Sequence, residues 1–188
     1  PKAVIFKKIE ETLALDGTAV LMQGGHHPDL KIDWYEDLFR GIKERYPIHL
    51  HALSPPEIQH IARAGRLTPS EVLSRLRDAG LDSLPGGGAE ILVDRVRKIL
   101  APKKTRSAEW LGIMRDAHRL GISTTATMMY GHVETLEERV EHLRLIRDLQ
   151  DEMHGFRAFI SWTFQPDFTE LGKTVSETPT AFDYLLTQ

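Results

Sequence analysis

The chain has 188 residues, 41% of them hydrophobic, and 24 Lys and Arg against 27 Asp and Glu give a net charge of −3. That supports one domain with a real core and is too short for two, and a balance so near neutral excludes a global field for nucleic acid or an anionic membrane. There is no cysteine, which excludes disulfides, thiolate nucleophiles, Cys-bound zinc and a Cys-ligated iron–sulfur cluster held by this chain alone.

No apolar run approaches the roughly 18 residues that span a bilayer, and no basic, apolar leader with small residues precedes the first element. Residues 5–15 (IFKKIEETLAL) put Ile5, Ile9 and Leu13 on one helical face and stop at Gly17. TAVLMQ (18–23) ends in Gly24–Gly25 and predicts a buried strand. A helix over 34–46 follows Asp33, with Glu36 completing a capping box and Trp34, Leu38, Ile42 and Tyr46 on the apolar face. IHLHAL (48–53) predicts a second strand. Ser54–Glu57 with Pro55, and Thr68–Glu71 with Pro69, open two more helices. LDSL (81–84) predicts a short strand, and ISTTATMMY (122–130) follows after further helix. Thr135–Glu138 opens a helix carrying Val140, Leu143 and Ile146, and RAFISWTF (157–164) predicts the last strand. Gly65, Gly80 and Gly121 fall where helices stop. The tail after Gly172 reads as loop with a short helix.

Strands separated by helices imply parallel pairing through right-handed crossovers. An α/β doubly wound sheet is covered on both faces, so its strands should be almost wholly apolar. Here alternate positions are polar: His49 and His51; Thr125 and Thr127; Ser161, Thr163 and Gln165. That pattern suits a (β/α) TIM-type barrel, whose strands look into a lumen and build a site at their carboxyl ends. A complete barrel takes about 250 residues, so five strands predict a partial barrel over 1–172, with 173–188 as a tail. Strand 18–23 would then be an open edge, which invites association.

Every strand runs into chemically suggestive residues. They are Gln23–Pro28 with its Gly24–Gly25–His26–His27, His49–Leu50–His51 with Ser54, Gly86–Gly88 with Glu90, Met129–His132 with Glu134, and Phe164–Asp167. A triple glycine lets backbone approach a ligand and can offer N–H groups to an anion; its plainer reading is a flexible turn. His49 and His51 share a strand face, the spacing of a metal pair that Glu134 or Asp167 could complete; the plainer reading is two hydrogen-bonding residues in a polar lumen. His60, His118, His142 and His154 lie on helices and read as surface or packing residues. Trp34, Trp110, Trp162 and Met128–Met129 read as core, and Ser54 as a cap rather than a nucleophile.

LMQGGHHPDLKIDWYEDLF, HLHALSPPEI, GLDSLPGGGAEIL, TTATMMYGHVET and FISWTFQPD resemble, in this order, the radical S-adenosylmethionine enzymes of the futalosine route to menaquinone. The similarity covers nearly the whole chain up to about Gly172. Among these enzymes it leans to the member that cyclises dehypoxanthine futalosine, with the aminofutalosine-forming and deazaflavin-chromophore enzymes as alternatives. The resemblance implies a partial radical S-adenosylmethionine barrel in a cytoplasmic protein. It implies a 4Fe–4S cluster and S-adenosylmethionine generating a 5′-deoxyadenosyl radical that takes the ribose C4′ hydrogen, ring closure to a spiro product, and an electron donor such as flavodoxin or ferredoxin. No nucleic acid or membrane partner is implied.

By the same resemblance, the carbonyls of Gly24 and Gly25 would receive the ammonium of the methionine moiety. Glu90 and Ser54 would touch S-adenosylmethionine, and Tyr130 and Gln165 would contact cofactor or substrate. His26, His51 and His132 are candidates for orienting substrate or taking the final proton. Three departures stand out: Phe168 replaces an expected asparagine, no proline lies near Ser161, and the Cys-x3-Cys-x2-Cys motif is missing. The expectation is that the cluster ligands lie before Pro1 and that the isolated chain is inactive. A hydrolase using His49 and His51, and a non-catalytic remnant that keeps the barrel, are the readings from other classes.

Overall fold

The computed structural model describes residues 1–175 and 177–187. The elements are α1 Lys2–Leu13, β1 Ala19–Met22, α2 Ile32–Lys43, β2 His49–Ala52, α3 Pro55–Gly65, α4 Pro69–Asp78 and β3 Ser83–Leu84. They continue with α5 Asp94–Leu100, α6 Ser107–Arg119, β4 Ser123–Tyr130, α7 Leu136–Met153, β5 Phe156–Thr163, a 3-10 turn at Leu171–Lys173 and α8 Ala181–Thr187. The five strands are parallel and stand in sequence order β1-β2-β3-β4-β5. A doubly wound sheet reverses its order at a switch point. An unreversed order with right-handed crossovers puts the helices on one face, so the sheet is a half-barrel with the other face open.

Helix-facing side chains form the main core. Leu50, Ala52 and Leu84 from the sheet pack with Phe39, Ile42, Ile58, Leu73 and Trp110, all buried to within 1%. A smaller cluster joins Ile91, Val96, Met128 and Tyr130. No helix among the described residues is long and apolar enough to cross a membrane.

Two of the four predicted capping boxes form, at Thr68–Glu71 and Thr135–Glu138. The other two carboxylates are drawn into tertiary contacts. α2 starts earlier than predicted, at Ile32, and Asp33 and Glu36 both accept from Arg75 of α4, at 2.6 Å each from Nη2. Glu57 leaves the end of α3 uncapped and reaches the glycines after β1.

The predicted polar face of β5 is corrected by one residue. Thr124 pairs with Phe156, but Thr125 pairs with Ala158, so a bulge skips Arg157. One extra residue exchanges the two faces of a strand. Ala158, Ile160 and Trp162 therefore lie alongside Thr125, Thr127 and Met129 on the inner face. Ser161 and Thr163 lie alongside Met128 and Tyr130, toward the helices, and Gln165 joins them by donating to Thr163 Oγ1 at 3.0 Å.

Two of the helical histidines are buried packing residues. His118 shares a 2.8 Å hydrogen bond with Thr124 Oγ1, and Leu92 N–H donates to His142 Nδ1 at 3.0 Å. Burial, then Arg115 beside the first ring and Arg97 beside the second, lowers both pKa values to about 4. Between that value and 6.5 the unfolded chain binds protons that the folded chain refuses. Their stabilisation is therefore complete above about pH 6.5 and falls away toward pH 4, by up to about 3 kcal/mol for each ring. Urea midpoints should fall as the pH is lowered through that window, and His142→Gln should flatten the slope.

Candidate active site

The carboxyl end of β1 runs into Gln23–Gly24–Gly25, and Glu57 from the first turn of α3 organises it. Glu57 is 4% exposed. Its Oε1 accepts from Gly24 N–H at 2.8 Å and Gly25 N–H at 3.0 Å, and its Oε2 accepts from Ser54 O–H at 2.7 Å. Among the described residues all peptide bonds are trans, so each N–H points opposite to the carbonyl of its own peptide unit. Fixing these two N–H groups on Glu57 turns the Gln23 and Gly24 carbonyls to the far side. A Cβ built on Gly24 meets nothing within 4 Å, so the loop is open around that residue.

The triple glycine after β3 is held in the complementary sense. Thr127 Oγ1 donates to Gly86 O at 2.6 Å, Trp110 Nε1 to Gly87 O at 3.2 Å, and Arg97 to Gly88 O at 2.9 Å and Ala89 O at 2.5 Å. Met129 N–H donates to Glu90 O at 3.0 Å. Five successive carbonyls thus bond to the scaffold, while Gly86 N–H goes to Thr125 Oγ1 at 3.0 Å. The Gly87 and Gly88 N–H groups have no partner among the described residues. Two glycines are required by approach: a Cβ on Gly86 would sit 2.5 Å from the Thr125 carbonyl oxygen, and one on Gly88 2.5 Å from Pro56.

Between these loops lies a cleft of about 260 Å³ lined by Gln23, Gly25, His26, Ser54, Glu57, Gly88 and Lys104, among others. Lys104 Nζ bonds Glu90 Oε1 at 2.9 Å, and Glu90 Oε2 is buried without a partner. Leu53 and Glu90, at the ends of β2 and the glycine run, hold left-handed φ values of 62° and 40°. Such a backbone costs on the order of 1–3 kcal/mol per residue and gathers at functional sites. His26 stacks on His60 with ring centroids 4.9 Å apart. Burial, then the His60 charge, lowers its pKa against the opposing pull of Glu57. Lower on the inner face, His51 Nδ1 lies 2.6 Å and His49 Nε2 2.7 Å from Ser83 Oγ.

Of the predicted site residues, Gly25, His26 and Ser54 line this cleft, Gly24 adjoins it in the loop after β1, Glu90 is tied to it through Lys104, and His51 is on the strand leading into it. Three are placed elsewhere. Tyr130 is fully buried in the outer layer under the Arg139 guanidinium, because its strand position faces the helices. Gln165 lies on the same outer side of β5, displaced by the bulge. The His132 side chain is fully buried, with Nδ1 2.8 Å from Glu134 Oε2 and Nε2 bonded to Met129 O at 2.9 Å. Burial alone would raise the pKa of Glu134, but bonds from the His132 ring and from the Gly131 and His132 N–H groups hold it at about 2. His132 and Glu134 thus lock the turn after β4.

Glu57, Gln23, Lys104, Arg97, Thr125 and Thr127 went unassigned in the sequence. Glu57 carried a signal, read as a cap; Lys104 and Arg97 carried none beyond charge. Phe168 is fully exposed with φ 61°, a conformation that favours asparagine.

S-adenosylmethionine carries an ammonium and a carboxylate on its methionine end. The loops around the cleft offer acceptors for the first, in the Gln23 and Gly24 carbonyls, and donors for the second, in Gly87 and Gly88 N–H and Lys104. The chain's residues therefore fit that group. They do not fit an iron–sulfur cluster: there is no thiolate, and among the described residues no three His, Asp or Glu side chains come together to hold a metal.

The family model described as the Radical SAM superfamily matches residues 1–146. Cyclic dehypoxanthine futalosine synthase of Halalkalibacterium halodurans is 49% identical over 183 residues, covering 97% of this chain and 49% of the relative. The 5-amino-6-(D-ribitylamino)uracil–L-tyrosine 4-hydroxyphenyl transferase 1 of Methanosarcina barkeri is 45% identical over 172 residues, covering 91% of this chain and 46% of the relative. The chain thus spans about half the length of the curated relatives it matches. Among solved structures, methylornithine synthase superposes with a TM-score of 0.67 at 14% identity, over 91% of this chain and 48% of that one; this likeness concerns the fold.

Proposed function

We propose, for a chain that belongs to the radical SAM superfamily, that it forms the S-adenosylmethionine-binding part of an enzyme that cyclises dehypoxanthine futalosine. The superfamily works with S-adenosylmethionine and a 4Fe–4S cluster, and enzymes are its members. The observation that carries the reading is the cleft's pairing of aligned carbonyls on one wall with free N–H groups on the other. S-adenosylmethionine, when bound, supplies the radical chemistry. The residues of this chain hold and shield it.

Gln23 and Gly24 receive the ammonium through carbonyls that Glu57 has already turned, so little reorganisation accompanies binding. Glu90 steadies Lys104, and Gly87 and Gly88 N–H with Lys104 take the carboxylate. Ser54 keeps Glu57 in place through Oε2. His26 and His51, both held below the usual histidine range first by burial, are neutral at pH 7 and able to accept the proton released at ring closure. A small nucleoside-derived substrate, a reducing partner such as flavodoxin or ferredoxin, and a cytoplasmic setting belong to this reading.

The test is an anaerobic assay of the intact, reconstituted protein with S-adenosylmethionine and dehypoxanthine futalosine. The expected result is release of 5′-deoxyadenosine with a product lighter by a hydrogen pair. Turnover only of tyrosine with the ribityl-uracil acceptor would overturn the reading in favour of the transferase chemistry named for the Methanosarcina barkeri relative.

A further inference from the structure

Two histidines on one strand share a single hydroxyl in the half-barrel. His51 on β2 is in direct register with Ser83 on β3, and His49 lies one pair earlier on the same face. Ser83 is buried, and its Oγ is 2.6 Å from His51 Nδ1 and 2.7 Å from His49 Nε2. A serine hydroxyl has one proton to give and lone pairs to accept with. With both contacts made, one ring donates N–H to Ser83 while the other receives its O–H. His51 is half-buried, three residues before Ser54 of the cleft; His49 is exposed, toward the strand starts.

We infer that His51, Ser83 and His49 form a proton relay running from the mouth of the barrel down its inner face to solvent. This rests on the cyclisation reading, in which ring closure leaves a proton on the substrate. Before the step, His51 donates its Nδ1–H to Ser83 Oγ and presents a free Nε2, while Ser83 donates its O–H to His49 Nε2. When His51 Nε2 takes the substrate proton, its Nδ1 proton passes to Ser83 Oγ and the original hydroxyl proton passes to His49 Nε2. His51 is then neutral again, the serine is unchanged, and the positive charge sits on an exposed ring that releases it to water. The neighbours across the sheet are Leu21 on β1 and Ser83 on β3, so His49 is the titratable group that faces His51. Burial lowers the pKa of His51, so a proton taken up there is passed on toward the exposed His49 ring.

The experiment combines 15N-histidine NMR with turnover in the intact protein. In the wild type the ring 15N shifts should show His51 neutral with its proton on Nδ1 and His49 neutral with Nε2 bare, and Ser83→Ala should shift both tautomer populations. The same variant should lower kcat about tenfold to a hundredfold with KM unchanged, and imidazole in the buffer should restore the rate. His49→Gln, at an exposed position, should reproduce the fall. Unchanged tautomer populations in Ser83→Ala overturn the relay, as does a fall in kcat that imidazole does not rescue. If the wild type does not turn over dehypoxanthine futalosine, the functional reading fails while the NMR shifts still decide the relay.

Discussion

Replacing Glu57 with alanine is expected to raise the Kd for S-adenosylmethionine about a hundredfold, and Glu57→Gln about tenfold. One carboxylate accepts three hydrogen bonds, from Gly24 N–H, Gly25 N–H and Ser54 O–H. Bonds to a charged acceptor are worth roughly 1.5–3 kcal/mol each, and a buried donor left unpaired costs about 1–3 kcal/mol. Alanine strands all three donors and frees the Gly24 and Gly25 peptide planes to rotate. The ammonium then meets carbonyls that must be reorganised during binding. Glutamine keeps one oxygen for the two N–H groups and offers its NH2 to Ser54 Oγ, so the geometry survives while the charge is lost. Calorimetric titration of the intact protein reads the affinities, with urea midpoints measured alongside. An alanine variant that bound with wild-type affinity would show that the loop needs no such support.

Arg97→Leu should destabilise the fold by about 4 kcal/mol, a fall in Tm of roughly 10 °C for a chain of this size. Arg97 is 5% exposed. Its guanidinium bonds the carbonyls of Gly88 and Ala89 and the carbonyl and hydroxyl of Thr105. It ties the glycine run to the loop carrying Lys104, the partner of Glu90. Burial in this setting lowers its pKa against the attraction of Glu90 and the other nearby carboxylates, so the carbonyl bonds balance the desolvation of the charge. Leucine removes that charge but leaves three buried carbonyls without donors. Arg97→Lys keeps the charge without the planar fork that reaches several acceptors at once, and its loss should be about half as large. Differential scanning calorimetry checks both values, and a Tm within a few degrees of wild type for Arg97→Leu would count against the anchoring role.

Local signals made most of the elements legible. Proline at the first helical position, Thr–x–x–Glu boxes and glycine stops each act within a few residues, so they survive without knowledge of the fold. The boxes at Thr68 and Thr135 are closed and local; those at Asp33 and Ser54 are not, because Arg75 and the Gly24–Gly25 loop compete for the same carboxylates. Nothing in Ser–Pro–Pro–Glu distinguishes a cap from a reach across the sheet. The site was legible where backbone chemistry was at stake, at the two glycine runs, and much less so at the histidines. His26, His51 and His132 are alike in sequence, yet only the first two lie along the cleft and inner face.

By itself the sequence determined a parallel α/β chain with polar strand faces, and it determined that this chain supplies no thiolate, because composition and hydrophobic period are properties of the residues alone. The tertiary structure decided which polar residues meet. A bulge opposite Thr124–Thr125 turned Ser161, Thr163 and Gln165 outward, strand register placed one hydroxyl between His49 and His51, and Glu57 became the support of the Gly24–Gly25 loop instead of a helix cap. Face, register and partner depend on where a second strand or helix lies, and no window along one chain contains that distance.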